Sequence, residues 1–495
     1  MKKMSSRILV VDLNNFARYP SIAIGYLTSL LRFDGFDVDV LAPLTTGLTG
    51  VPRESRPVVW GRIDQELRYR TAVSRHPMIR SARKRYATRN ASKLAGAKDA
   101  MVAEFTRQLD AGYDAVLIST YLMYHPHCVA MGEICRDRGI PLVVGGAYFN
   151  APEVAEQWMN LPGLTALIGG EVEPDLCNIV RQAIDKKAVV NRGVWHQNGQ
   201  LTLDAPPLQD LDQIPFPDYR DFPWSKYPNV IVPIITGRGC GWGACSFCSD
   251  ITSTVGRTFR SRSPENVLAE IAHQHEQHDA KRLVFTDLKL NSNLAMWRGI
   301  INGLPEVLPD AKWIAAVHVG AREENGLSRE ELEQARASGM VRVTTGLESG
   351  SQRVLDAMGK GTDLATTRRL LRDASKAGIS VRTTMILGFP GEEAADLDAS
   401  TAFLWEYEQY IERVSLNRFE VMTGTRFARQ LNNKPDLFPQ ITQLTVNHQV
   451  AQISHHYRPT ESRTYRRAVS RLLQVVHRIN RRPLNEAARE FEGVM

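Results

Sequence analysis

Short apolar runs alternate with amphipathic stretches over the first 185 residues. Ile8 to Asp12, Phe36 to Leu41, Ala115 to Ser119, Pro141 to Gly146 and Ala166 to Gly170 each read as a buried strand. Between the first two, Ser21 is placed to cap a helix carrying Tyr26, Leu27, Leu30 and Leu31, and Gly35 ends it. Strands that are apolar throughout, separated by helices, predict an α/β domain with a Rossmann-like, doubly wound parallel sheet. In such sheets ligands sit at the carboxyl ends of the strands.

A second α/β series follows. Strands are predicted at 229–236, 281–286, 312–318, 341–346, 379–387 and 411–417, and helices at 264–279, 294–307, 327–338, 364–377 and 392–409. Six such units suit a partial (β/α)6 TIM-like barrel, with its chemistry on the loops after the strands. Between the two series, Gly193 to Leu203 predicts a hairpin turning at Asn198-Gly199, and a Pro-rich linker with Pro206, Pro207, Pro215 and Pro217 comes next. From about 443 onward the pattern is helical and basic, with Arg463, Arg466, Arg467, Arg471, Arg478, Arg481 and Arg482. The expected division is 1–185 for the first domain, 186–225 for hairpin and linker, 226–430 for the partial barrel and 431–495 for a C-terminal helical region.

Composition changes this picture little. The 495 residues carry 61 Lys+Arg against 54 Asp+Glu, a formal charge of +7, which excludes a polycation and an acidic tail protein. With 43% apolar and 23% charged residues the composition is ordinary for a globular enzyme, so disorder does not account for the bulk of the chain. No apolar run approaches the roughly 18 residues of a membrane span. The N-terminus makes a poor signal peptide, so a cytoplasmic location is expected. The basic residues concentrate in an insertion at 52–99 and in the tail. A solvated helical insertion explains the first run more simply than a cap over an anionic ligand, and a solvated helix face explains the second better than an RNA surface. Nucleic acid is therefore not an expected partner.

Six cysteines are too few for a disulfide scaffold, but Cys240, Cys245 and Cys248 fall within nine residues. Cys128, Cys135 and Cys177 are solitary and expected to be structural. The clustered three lie in Thr236-Gly237-Arg238-Gly239-Cys240-Gly241-Trp242-Gly243-Ala244-Cys245-Ser246-Phe247-Cys248, directly after the first strand of the second series. Three thiolates on one glycine-rich loop suit three irons of a four-iron cluster and leave the fourth iron open for a ligand. A structural zinc would want a fourth Cys or His at matching spacing, and His273, His275 and His278 fall on a predicted helix, where a polar surface is the simpler reading.

This loop resembles the cluster signature of the radical S-adenosylmethionine (SAM) enzymes, C-x3-C-x2-C with an aromatic residue before the last Cys, here Phe247. Four residues rather than three separate Cys240 from Cys245, an extra residue that Gly241 and Gly243 could absorb. Thr345-Gly346-Leu347-Glu348-Ser349-Gly350-Ser351 resembles a G-x-E-S-G-S strand end of the same superfamily, and Met385 to Glu392 its G-F-P-G-E strand end. The resemblance covers roughly 205–430 and implies a [4Fe-4S] cluster held by Cys240, Cys245 and Cys248. It further implies SAM near Asp287, Glu348, Ser349, Gly388 and Pro390, and an external electron donor such as a flavodoxin or ferredoxin.

Ahead of it, Tyr19 to Leu27, Val144-Gly145-Gly146-Ala147 and Ile168-Gly169-Gly170-Glu171-Val172-Glu173 resemble the cobalamin-binding domain fused to many radical SAM enzymes. This implies cobalamin contacts at Ser21, Gly145, Gly146, Gly170 and Glu171. No D-x-H-x-x-G motif offers a lower cobalt ligand, and His125 and His127 follow a strand, where they could face a corrin or simply stand at the surface. The expected activity is methylation of an unactivated carbon through a 5′-deoxyadenosyl radical and methylcobalamin. Radical rearrangement or cyclisation, and 3-amino-3-carboxypropyl transfer, stay open beside it. Outside the class stands a non-catalytic zinc or corrinoid sensor. The substrate is a small molecule or a peptide, with the basic insertion and tail favouring an anionic one.

Overall fold

The computed structural model describes residues 5–13, 19–42, 66–68, 70–74, 76–195, 207–227, 229–249, 259–320 and 324–494. The expected Asn198-Gly199 turn and the first part of the basic insertion, 52–65, lie outside these residues.

The first domain forms one sheet from β1 (Arg7–Asp12), β2 (Asp37–Leu41), β3 (Ala115–Ser119), β4 (Leu142–Gly145) and β5 (Leu164–Ile168), ordered β2-β1-β3-β4-β5 and parallel throughout. The short β6 (Val194–Trp195) adds antiparallel to β5, where the expected hairpin begins. Both faces are covered, which explains why the strands are apolar at successive positions. Ile8, Val10 and Leu117 join one core with α1 (Ile22–Phe33). Leu9, Val11, Val116 and Ile118 join the other with α2 (Pro77–Leu109), α3 (His125–Arg138) and α4 (Pro152–Trp158). From Pro77 on, the insertion is helix α2. A further helix, α5 (Leu176–Ile184), closes the first face with Ile179 and Val180. The strand order reverses between β1 and β3, and at such a switch point the strand ends open a crevice for a ligand.

The Pro-rich linker is packed rather than free. Thr28 of α1 donates to the Asp218 carbonyl at 2.9 Å, and Arg32 pairs with Asp218 at 2.8 Å. A Cβ on Gly25 would lie 2.4 Å from the Tyr219 ring, so glycine is what lets the linker press onto the helix. Gln274 of α6 (Pro264–His278) donates to the Pro217 carbonyl at 2.7 Å from the other side.

The second sheet holds β7 (Ile231–Ile234), β10 (Arg282–Phe285), β11 (Lys312–Val317), β12 (Met340–Glu348), β13 (Ser380–Leu387) and β14 (Arg413–Arg418), parallel and in that order. A small antiparallel pair, β8 (Gly237–Arg238) and β9 (Arg260–Ser261), follows β7. The helices α6, α7 (Leu294–Val307), α8 (Arg329–Ala337), α10 (Leu364–Lys376) and α11 (Ala394–Tyr407) separate the strands, with a short α9 (Gln352–Ala357) after β12. Caps argue for their starts: Ser263, Asn293, Ser328 and Asp363 each accept from a first-turn amide. These strands and helices are the ones the periodicity predicts. The sheet is open between β7 and β14, as a partial barrel requires.

Alternation splits the strand residues. Val232, Leu283, Trp313 and Val343 face the helices, while Ile231, Val284, Ile314 and Val341 form a separate cluster with Ala488, Phe491 and Val494. Arg342, fully buried, binds the Phe491, Val494 and Ala488 carbonyls at 2.9, 3.1 and 2.8 Å, so residues 488–494 close the amino-terminal end of this sheet.

The C-terminal region differs from the expectation of helix throughout. A three-stranded antiparallel sheet of β15 (Val421–Met422), β16 (Ile441–Asn447) and β17 (Gln452–Tyr457) flanks α12 (Arg426–Asn433), and helix resumes only at α13 (Arg463–Asn480). Thr442, Leu444 and Val446 on one strand and Ile453 and Tyr457 on the other carry a period-2 signal that the arginine-rich stretch obscures. The arginines of α13 serve the fold: Arg471 pairs with Asp398 at 2.6 Å and Arg478 with Glu408 at 2.8 Å. Among the described residues no helix is long and apolar enough to cross a membrane.

Candidate functional site

The site is built at the carboxyl ends of the second sheet. Asp287, just past β10, is 6% exposed and turns its carboxylate onto the end of β7. It accepts from the Thr236 amide at 3.1 Å, the Thr236 hydroxyl at 2.8 Å and the Gly237 amide at 2.9 Å. Burial pushes this carboxyl up to about 6 against those donors. Asp287 thus fixes the root of the cysteine loop.

The loop itself is held from several sides. Gly241 donates to Ser292 Oγ at 3.3 Å. Trp242 donates to the Gly359 carbonyl at 2.9 Å and stacks on His318 at 5.8 Å between ring centres. A Cβ on Gly361 would stand 2.1 Å from the Trp242 ring. Ser246, between the second and third cysteines, donates its amide to the Met358 carbonyl at 2.8 Å and accepts from the Phe427 amide at 2.8 Å. Phe247 packs into an aromatic cluster with Phe389, Phe419 and Phe427. Of the two glycines expected to absorb the extra residue between Cys240 and Cys245, Gly243 takes the left-handed conformation with φ +57° and Gly241 does not; Gly239, just before Cys240, has φ +87°.

All three thiols are half-buried. Burial raises the Cys245 thiol, Lys360 and Lys289 lower it, and Cys240 raises it, so these groups share one electrostatic neighbourhood. Among the described residues no three Cys, His, Asp or Glu side chains converge into a preformed metal cage. The fit to a cluster rests on the donor chemistry: three soft, partly accessible thiols beside the buried Lys360 and half-buried Lys289 ammonium groups, on a loop whose glycines permit close approach.

Glu348 ends β12 with φ +57°, an uncommon conformation for a residue with a Cβ. Its carboxylate takes the Lys360 ammonium at 3.0 Å in a pair that is 8% and 5% exposed. Gly346 must lack a Cβ because one would lie 2.1 Å from Glu348 Oε1 and 2.5 Å from Lys360 Nζ. Ser349 meets the Ser400 hydroxyl at 3.3 Å and accepts from the Ser351 amide at 3.1 Å, shaping the turn after the strand. Gly388, with φ +84°, donates to Glu392 Oε1 at 2.9 Å, and Pro390 is buried in the same turn. Asp287, Glu348, Ser349, Gly388 and Pro390 therefore gather at the ends of neighbouring strands around the cysteine loop. The sequence assigns no role to Lys289, Lys360 or Glu392. Burial lowers the Lys289 ammonium, which has no carboxylate within ion-pair distance among the described residues.

The first domain presents its own strand ends. Gly145 closes β4, and a Cβ on Gly146 would stand 2.5 Å from the Thr120 carbonyl. Gly169 leaves room for Trp195, whose indole donates to the Phe149 carbonyl at 2.6 Å. Gly170 is exposed, and so are Tyr121 and Met123 after β3, at 56% and 61%. Ser21 stands at the amino end of α1 but makes no side-chain cap, contrary to the expected role; its carbonyl accepts from Gly25 at 3.1 Å. His125 and His127 open α3, with His125 edge-on to Trp158 at 4.8 Å and His127 edge-on to Tyr124 at 5.3 Å. Cys128 and Cys135 are fully buried on α3 and Cys177 lies half-buried on α5.

Glu171 ties the two domains together. Arg260 of β9 reaches it at 2.8 and 3.0 Å, Arg238 of β8 at 3.1 Å, and Arg238 also holds Glu173 at 2.6 Å. Burial raises the Glu171 carboxyl, but Arg260 and Arg238 outweigh it and hold it below the usual range. A second contact is made by Trp158, which donates to the Gln449 carbonyl at 3.1 Å beside β17. The ends of the first sheet thus lie against the loops of the second. Two surface clefts, of about 600 and 480 Å³, lie elsewhere, one between the helices near Arg298 and Arg369 and one beside the linker at Pro217.

Residues 234–404 match the Radical SAM superfamily. The fold of the whole chain is similar to that of solved cobalamin-dependent radical SAM enzymes. The chain aligns with OxsB, a cobalamin-dependent SAM radical enzyme, at a TM-score of 0.66 and 14% identity over 92% of this chain and 64% of that one. With the radical SAM methyltransferase TsrM from Kitasatospora setae the TM-score is 0.60 at 16% identity, over 90% and 79%. An uncharacterised methyltransferase of Pyrococcus horikoshii is 26% identical over 311 residues, 61% of this chain and 66% of that protein, so the chain spans just under two thirds of that relative's length.

Proposed function

We propose that the protein is a cobalamin-dependent radical SAM enzyme that methylates an unactivated carbon. The observation that carries this reading is the cysteine loop, rooted by Asp287 at the end of β7 and braced against the domain that carries the β1/β3 switch point. When bound, a [4Fe-4S] cluster would supply one electron to SAM, and cobalamin would supply a methyl group. Cys240, Cys245 and Cys248 would hold the cluster. Glu348, held by Lys360, presents fixed charge where a sugar hydroxyl or ammonium group can bond it. Gly388 and Pro390 give the backbone of their turn close approach to a flat ring. Gly145, Gly146 and Gly170, with the exposed Tyr121 and Met123, offer a bare rim and an apolar face to a macrocycle. No side chain of the cobalamin motif type is presented as a lower cobalt ligand. Glu171 would act by bracing the domains, its carboxylate being occupied by arginines.

The solved relative TsrM binds cobalamin and a [4Fe-4S] cluster, and OxsB binds aqua-cobalamin and SAM, which supports the same cofactors here. The reading includes an external flavodoxin or ferredoxin as electron donor, a small-molecule or peptide substrate and a cytoplasmic location. The widened Cys240–Cys245 spacing favours one second reading, transfer of the 3-amino-3-carboxypropyl group. Anaerobic reconstitution with iron, sulfide and cobalamin, followed by metal analysis and identification of the SAM products, tests both. Deoxyadenosine with S-adenosylhomocysteine supports methylation, and methylthioadenosine supports the alternative. Bound zinc with neither iron nor SAM cleavage overturns the enzyme reading.

A further inference from the structure

The turn after β13 is not held by its own strand alone. Gly388 and Gly391 have φ of +84° and +93°, so the turn has two pivots that a side chain would strain. Glu392, 1% exposed, accepts from the Gly388 amide at 2.9 Å and from the Tyr465 hydroxyl. The Glu392 carbonyl accepts from the Tyr457 hydroxyl at 3.1 Å, and that same hydroxyl accepts from the Gly391 amide at 2.9 Å. Tyr457 ends β17 and Tyr465 lies in the first turn of α13, so two elements of the C-terminal region each place a buried phenol on one five-residue turn. Phe389 of the turn packs on Phe427, whose amide holds the Ser246 carbonyl between the cysteines.

We propose that Tyr457 and Tyr465 are positioning residues for SAM, acting through the Gly388–Glu392 turn. The inference rests on the preceding reading that this turn borders the SAM site. The phenol rings fill core volume, which phenylalanine would fill equally. The hydroxyls, by contrast, spend their hydrogen bonds on the turn. Tyr457 Oη joins the Gly391 amide to the Glu392 carbonyl, which ties together the peptide planes on either side of the Gly391 pivot. Tyr465 and Gly388 share one carboxylate oxygen, which fixes the far pivot. Loss of either hydroxyl releases the turn without opening a cavity.

The test uses full-length, anaerobically reconstituted Tyr457→Phe, Tyr465→Phe and the double variant. SAM affinity is read from the SAM-induced change in the electron paramagnetic resonance signal of the reduced cluster, together with iron content, thermal midpoint and a split of KM from kcat for SAM cleavage. Each single variant should weaken SAM about 3- to 10-fold, the scale of one or two buried hydrogen bonds, with KM raised, kcat nearly unchanged and iron retained. Should Tyr465→Phe fail to accumulate as folded protein, Tyr457→Phe carries the test alone. Affinity within about twofold of the wild type, or affinity lost only together with iron and thermal midpoint, overturns the proposal. A wild-type protein that holds a cluster but binds no SAM overturns the preceding reading, and this one with it, before any variant is compared.

Discussion

At the carboxyl ends of the second sheet, polar side chains reach across to neighbouring loops: Asp287 to Thr236 and Gly237, Glu348 to Lys360, Glu392 to Gly388. At the ends of the first sheet the same positions are occupied by glycines that make room for carbonyls and for an indole. One region is specified by what its side chains bond, the other by what its backbone leaves bare. The first kind of site demands particular residue types at fixed places and so writes a motif into the sequence. The second tolerates anything compatible with the missing Cβ and writes only a scatter of glycines.

The contrast is broken most severely by Cys245→Ala. It should reduce bound iron from about four per chain to background after reconstitution, while Cys135→Ala, on the buried face of α3, should leave iron unchanged. Asp287→Ala comes next. It removes the charged acceptor for two amides and a hydroxyl at about 1.5–3 kcal/mol per charge-assisted bond, and iron retention during gel filtration should fall several-fold. Gly169→Ala sharpens the other side. Its Cβ would lie 2.2 Å from the Trp195 indole nitrogen, and the overpacking should cost about 1–3 kcal/mol and weaken cobalamin retention with iron unaffected. The smallest effect expected is a pH slope. Burial raises the Glu392 carboxyl to about 7 from 4.5, so between those values the native state holds a proton that the unfolded chain has released. Its stability contribution is then fully present below 4.5 and is lost as pH rises toward 7, with a slope approaching about 1.4 kcal/mol per pH unit. Glu392→Gln should flatten that segment of the thermal stability curve.

Much of this was legible before any coordinates. The central strands of both sheets stand where apolar runs place them, because burial on both faces favours that pattern, while the edge strands β2 and β14 mix polar and apolar positions. The cysteine loop was legible because three soft ligands within nine residues have few other uses. The β16–β17 hairpin was not, because arginines that pair with α11 and the segment after it give the region the composition of a solvated helix. Nor were the partners of Glu171. Its arginines lie 67 and 89 residues away, on the antiparallel β8–β9 pair. Tyr457 and Tyr465 were illegible for the same reason: a phenol aimed at a distant peptide leaves no local trace.

The segment at 488–494 that Arg342 pins across the amino-terminal end of the second sheet plugs that end. The other domain stands at the opposite end, fastened by Glu171, Glu173 and their arginines. The seam at that end is therefore held by charge rather than by apolar packing alone. Raised ionic strength should loosen it before it disturbs the apolar plug at 488–494.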